Sequence, residues 1–150
     1  MRVVVFLAMC LGLIVPAFGK PMETPPAPKG PPTFVEEPIP DGKAIVYLFS
    51  EPSANYESLL ALSKSGPIGV LRHGTYLSFT TDPGKTRLWF TFESSVSVDL
   101  DVVAGQPYYV RATGGFLYGG IGNQRGVFTE MMTPEKAKKD DQILYCKKVE

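Results

Sequence analysis

Ser95-Val96-Ser97-Val98-Asp99-Leu100-Asp101-Val102 alternates polar and apolar residues without a break. A side-chain period of two belongs to a β-strand with one face on a core and the other in water. Val96, Val98, Leu100 and Val102 therefore point inward, and Ser95, Ser97, Asp99 and Asp101 face solvent.

The neighbouring segments follow the same rule. Residues 86–92 alternate Leu88, Phe90 and Phe92 with Arg87, Trp89 and Thr91, and the turn before them, Asp82-Pro83-Gly84-Lys85, combines an opening Asp, a φ preset by Pro and a Gly that permits reversal. Residues 44–49 are apolar on both faces, which predicts a central strand. Residues 58–63 and 68–71, closed by Lys64-Ser65-Gly66 and Arg72-His73-Gly74, read as consecutive hairpins leading into a strand over 75–80. Ala104-Gly105-Gln106 turns the chain into a strand over 108–112, and another is expected over 127–131.

One helix is expected after that. Thr133 offers an N-cap oxygen, Pro134 suits the first helical position, and Glu135 with Lys139 forms an i, i+4 pair, with the helix ending near Asp140 or Asp141. A terminal strand over 143–149 completes the pattern. The sum is an all-β fold: an antiparallel β-sandwich of about seven or eight strands with one short C-terminal helix, spanning residues 41–150.

Two segments precede it. Arg2, an apolar run over 3–15 and Ala17-Phe18-Gly19 have the plan of a secretory signal peptide over residues 1–19. The run is shorter than the roughly 20 residues that cross a bilayer, and Pro16 closes it. Cys10 follows Leu7-Ala8-Met9 in the middle of the run, where Met9 is too large for a lipid-attachment pattern, so membrane association by a lipid anchor is not expected. Residues 20–40, with Pro25-Pro26, Pro28, Pro31-Pro32, Pro38 and Pro40, read as a proline-rich linker of extended backbone.

Charge excludes one class of partner. Removal of residues 1–19 takes Arg2 and leaves 14 basic and 15 acidic residues, with no basic stripe for a phosphate backbone. Nucleic acid is not expected as a partner. Lys136, Lys138 and Lys139 are answered locally by Glu135, Asp140 and Asp141, as on a solvated helix face. Loss of Cys10 leaves Cys146 alone, which reads as a small apolar strand residue, with a disulfide between chains as its alternative.

Chemistry-bearing groups are sparse. His73, the sole histidine, reads as a turn residue, because the sequence shows neither the arrangement a general base needs nor the several ligands of a zinc site. Asp99 and Asp101 share one strand face and read as a wet surface, with paired carboxylates as the alternative. No Gly-x-Ser-x-Gly elbow occurs. The glycine-rich stretch 114–126 reads as a close-packed strand or hairpin, or else as a contact loop presenting Phe116, Leu117 and Tyr118, with Arg125 at its edge. No catalytic residue, metal site or cofactor is expected.

Gly42-Lys43-Ala44 leading into Ile45-Val46-Tyr47, then Gly74-Thr75-Tyr76, Pro83-Gly84-Lys85, and Ala104-Gly105-Gln106 ahead of Tyr108-Tyr109-Val110-Arg111 stand in this order. The set resembles a group of bacterial exported domains of unknown function, many of them envelope lipoproteins or periplasmic proteins, over about residues 41–132. It is also similar to small surface-layer β domains carried as stalks or adaptors. Lipidated members carry their cysteine at the end of the signal run, and Cys10 departs from that pattern. The resemblance implies a compartment and an architecture, and it brings no catalytic residues.

The expectation is an extracytoplasmic domain, periplasmic or secreted, that binds or scaffolds an envelope protein or cell-surface component. The alternative is a carbohydrate-acting or other hydrolase using Asp99 and Asp101.

Overall fold

A strand apolar on both sides has to lie between two layers, and β1 (Ala44–Ser50) does so with every residue buried. The computed structural model describes residues 31–51, 58–92, 94–117 and 124–149, with backbone alone at 114–117 and 124–125. Along the chain β1 is followed by β2 (Ser58–Ser63), β3 (Gly66–Arg72), β4 (Thr75–Thr81), β5 (Gly84–Thr91), β6 (Ser95–Val102), β7 (Pro107–Leu117) and β8 (Gln124–Met132). Two short helices, α1 (Pro134–Ala137) and α2 (Asp141–Leu144), and a last strand, β9 (Lys147–Lys148), complete the described residues.

The strands form a five-stranded sheet in the order β8-β7-β1-β4-β9 and a four-stranded sheet in the order β3-β2-β5-β6. The all-β sandwich read from the sequence is the observed fold. Its core lies between the sheets, where Val46 and Leu48 of β1 meet Leu59, Phe90 and Leu100 of the opposite sheet. Each such buried large side chain contributes about 1.5–3 kcal/mol relative to exposure.

Within this frame several expectations are corrected. The turn at His73 and Gly74 does not close a hairpin: β3 and β4 belong to different sheets, as do β4 and β5. Gly69 shows what the crossing requires, because a Cβ there would stand 3.0 Å from Leu77 Cδ1, so the missing side chain lets Leu77 of β4 lean over β3. The five-stranded sheet is also mixed rather than antiparallel. The Gly105 N–H donates to the Lys43 carbonyl at 2.7 Å and sets the start of β7 beside the start of β1, so the two run parallel. β9 likewise pairs parallel with β4.

The single helix expected is two four-residue helices. Thr133 caps the first, accepting from the Lys136 N–H at 3.2 Å, and α1 ends before Lys139. Asp140, expected near a helix end, instead starts α2 by accepting from the Gln142 N–H at 3.0 Å. The terminal strand expected over 143–149 shrinks to β9, because Ile143 is spent as the buried residue of α2. Cys146 is fully buried but lies between α2 and β9 rather than in a strand.

The stretch read as linker up to Pro40 is also revised from Thr33 onward. The N–H groups of Thr33 and Phe34 donate to the Leu144 carbonyl at 2.8 and 3.0 Å, and Thr33 Oγ1 donates to the Cys146 carbonyl at 2.8 Å. Residues 33–39 thus form a strap over the outer face of the five-stranded sheet.

Candidate functional site

The two outward-facing sheet surfaces are treated oppositely by the chain. On the five-stranded sheet, Tyr47 and Phe49 of β1, Tyr76 of β4 and Tyr109 of β7 form an aromatic floor, closed from above by the strap, α1 and α2. The Phe34 ring stands edge-on to this floor, 5.1 Å from each of the Tyr47, Phe49 and Tyr76 centroids. Edge-to-face rings match a positive edge with a negative face, which favours this arrangement beyond area alone.

The polar tips of the floor are satisfied by the strap. The Glu37 N–H donates to Tyr47 Oη at 2.6 Å, and the Tyr109 hydroxyl donates to the Glu36 carboxylate. Ser78 Oγ and Lys148 Nζ donate to Glu37 Oε1 at 2.5 and 2.8 Å, and Lys138 lies 3.2 Å from Glu36. Both carboxyls are held below the usual glutamate range, Glu36 mainly by the Tyr109 hydroxyl and Glu37 mainly by Lys148. Tyr109 is pushed upward by burial and by its bond to Glu36.

At the rim of the roof, Arg111 lies 2.8 Å from Glu51 and 3.2 Å from Asp140 and also pairs with Glu130, which in turn pairs with Lys136. Burial works against the Arg111 cation, but the Glu130 bond and the carboxylates around it raise its pKa. The network ties β7 and β8 to the cap of α2. Cys146 is sealed beneath the same roof, its Sγ donating to the Gln142 carbonyl at 3.2 Å, and burial pushes its thiol up to about 12. A thiol so far from ionising is a poor nucleophile.

The outer face of the four-stranded sheet has no such cover among the described residues. Its apolar half is built by register: Leu60 stands opposite Val70, and Leu62 lies between Pro67 and Trp89. Leu60 and Val70 are 37% and 40% exposed, and Leu62 and Trp89 are half-buried. Trp89 then opens onto a charged half, where a depression of about 560 Å³ is lined by Trp89 with Lys64, Lys85, Arg87, Asp99 and Asp101.

Asp99 and Asp101 share this face as the alternation required, opposite Arg87 and Lys85. Arg87 grips Asp99 with two parallel bonds, Nε to Oδ1 at 2.5 Å and Nη2 to Oδ2 at 2.7 Å. The Arg87 bond holds the Asp99 carboxyl below its usual range. Both groups are exposed, so the pair adds little to stability and instead fixes a planar fork.

The other candidates do not converge here. His73 sits in the turn between β3 and β4. Phe116 and Leu117 are the last residues of β7, opposite Arg125 and Gln124 of β8, and Tyr118 lies outside the described residues. Among the described residues no group of three or more His, Cys, Asp or Glu side chains is placed to hold a metal ion, and no helix is long and apolar enough to cross a membrane.

The residues that sequence reasoning did not single out as a site are Trp89, Lys64, Lys85 and Arg87 of the depression, with Leu60 and Val70 on the same face. One signal was present: a tryptophan on the polar side of the alternation in 86–92.

Fold and site together define a two-sheet β domain with one face roofed by its own flanking segments and the other, among the described residues, open around a tryptophan. Compared with protein-family models, curated proteins and solved structures, the chain matches none of them.

Proposed function

We propose that this chain is a non-enzymatic binding or scaffolding module of the cell envelope or periplasm, and that it engages its partner through the open face of the four-stranded sheet. Export is supported by the sequence over residues 1–19, which lie outside the described residues. The resemblance of the motif order at 42–47, 74–76, 83–85 and 104–111 to exported bacterial β domains is in keeping with that reading. The observation that carries the binding role is Trp89, half-buried opposite Leu62 on the face that also carries exposed Leu60 and Val70, and at the edge of a charged depression. A surface that joins one large aromatic to oriented polar groups is the usual make-up of a recognition site.

The hydrolase alternative draws less support. A glycosidase needs one carboxylic acid with a raised pKa to protonate the leaving group. Asp99 is shifted the opposite way, with Arg87 occupying both of its oxygens.

Two measurements test the proposal. Mass spectrometry of the exported protein should give an unlipidated chain starting at Lys20. Retention of that protein on washed envelopes of its own host should fall at least fivefold for Trp89→Ala. Undiminished retention of a correctly folded variant would remove the open face from the proposal.

A further inference from the structure

We infer that the depression beside Trp89 is a binding site for an anionic glycan. The inference rests on the reading of this face as a binding surface and names the chemical class of what it binds.

A sugar ring has a rim of hydroxyls and an apolar C–H face whose hydrogens carry partial positive charge, so it matches the negative face of an indole ringed by hydrogen-bonding groups. The depression sets an indole among hydrogen-bonding side chains. Its volume of about 560 Å³ falls within the range of small-molecule sites. Beside Trp89 it is lined by charged side chains with short reach between them: Arg87 and Asp99 in a two-bond pair, Lys85 opposite Asp101, and Lys64 from the turn between β2 and β3.

The Arg87–Asp99 pair is suited to hydroxyl recognition. A guanidinium has five N–H donors, and this pair uses two of them, so the fork is oriented before a ligand arrives. Each Asp99 oxygen keeps a further lone pair for a sugar hydroxyl. Holding donors and acceptors in place beforehand lowers the ordering cost of binding.

Charge selects among glycans. Lys64, Lys85 and Arg87 outweigh Asp99 and Asp101 among the lining residues, which leaves a positive excess for carboxylates on the sugar. A protein partner fits this part of the face less well, since the centre of a protein interface is depleted in charged residues and five of the eight residues lining this depression are charged.

Trp89 is the only tryptophan of the chain, so its fluorescence reports on the site directly. The exported protein should be titrated with oligogalacturonate tetramer and, as a neutral control of the same length, maltotetraose. Expected is a saturable change in Trp89 emission with oligogalacturonate, at least tenfold weaker with maltotetraose and weakened at least tenfold on raising salt from about 50 to 500 mM. Arg87→Ala and Lys64→Ala should each weaken it at least threefold while keeping the melting temperature. Equal affinity for the neutral sugar, or no saturable change with either, overturns the inference. If no sugar binds while Trp89→Ala still abolishes envelope retention, the glycan is wrong and the open face stands with a protein partner. If neither responds, both fall.

Discussion

The outer faces of the two sheets start from similar raw material, aromatic and aliphatic side chains on a pleated surface, and end in opposite states. On the five-stranded sheet Tyr47, Phe49, Tyr76 and Tyr109 are buried beneath Phe34 and two short helices. On the four-stranded sheet Trp89, Leu60 and Val70 keep access to solvent. The difference teaches that the same kind of surface is buried where the chain supplies its own cover and stays in solvent where no described segment does. The roofed face belongs to the folded state's own packing, whereas the open face leaves apolar side chains in water, which is what the proposed binding role uses.

The sharpest way to break this contrast is to remove the plug of the roof. Phe34→Ala should cost about 2.5 kcal/mol, less than the roughly 3–5 kcal/mol for a fully buried phenylalanine because Phe34 is only partly buried, and depress the melting temperature by on the order of 10 °C. Cys146, sealed below, should become reactive toward a thiol reagent in the same variant. A neutral Phe34→Ala with an unreactive Cys146 would mean that the strap is ornament and that the two faces do not differ in kind.

Next in size is the rim. Arg111→Ala leaves Glu51, Glu130 and Asp140 facing one another without their shared cation, and should cost about 2 kcal/mol, below the cost for a fully buried pair because Glu130 is partly solvated. Arg111→Lys should recover part of it, since a single ammonium cannot reproduce the fork. Denaturant midpoints of the two variants decide this.

Acid distinguishes the faces more finely. Glu36 and Glu37 have carboxyls depressed below their ordinary 4.5. As pH falls the unfolded chain takes protons first, so the strap's contribution is complete above about 4.5 and is lost as pH drops through the lower folded values. Stability measured against pH should therefore fall less steeply below 4.5 in the Glu36→Gln, Glu37→Gln double variant. Asp99 is also depressed, but its pair with Arg87 is solvent-exposed, so Asp99→Asn should leave that acid limb unmoved.

The smallest effect on stability is expected on the open face itself. Leu60→Ser with Val70→Ser should change unfolding free energy by no more than about 0.5 kcal/mol each, yet reduce retention on envelopes. A large loss of stability would show that these residues serve the fold, and the contrast between the faces would narrow.

The sequence alone carried whatever depends on neighbours a few positions apart. Alternation in 95–102 placed Asp99 and Asp101 on one wet face, the two-sided apolar run at 44–49 placed β1 at the centre, and Asp82-Pro83 marked the break between two strands, though not that they enter different sheets. Those signals follow from backbone geometry, in which side chains alternate and turns need particular φ values, so they are written locally. Tertiary structure decided which sheet each strand enters, the parallel pairing of β1 with β7, and the fate of Phe34. A lone aromatic among prolines reads as linker because its partners are far along the chain; the strap bond from Thr33 to Cys146 spans 113 positions. Burial of that kind depends on surfaces that exist only once β1, β4 and β7 are side by side, and no local pattern of residues 31–40 encodes them. Trp89 was likewise legible as outward-facing, but its joining to Leu62 on one side and to the Arg87–Asp99 fork on the other came from strand register, which is fixed by pairing across the sheet and not by any one strand.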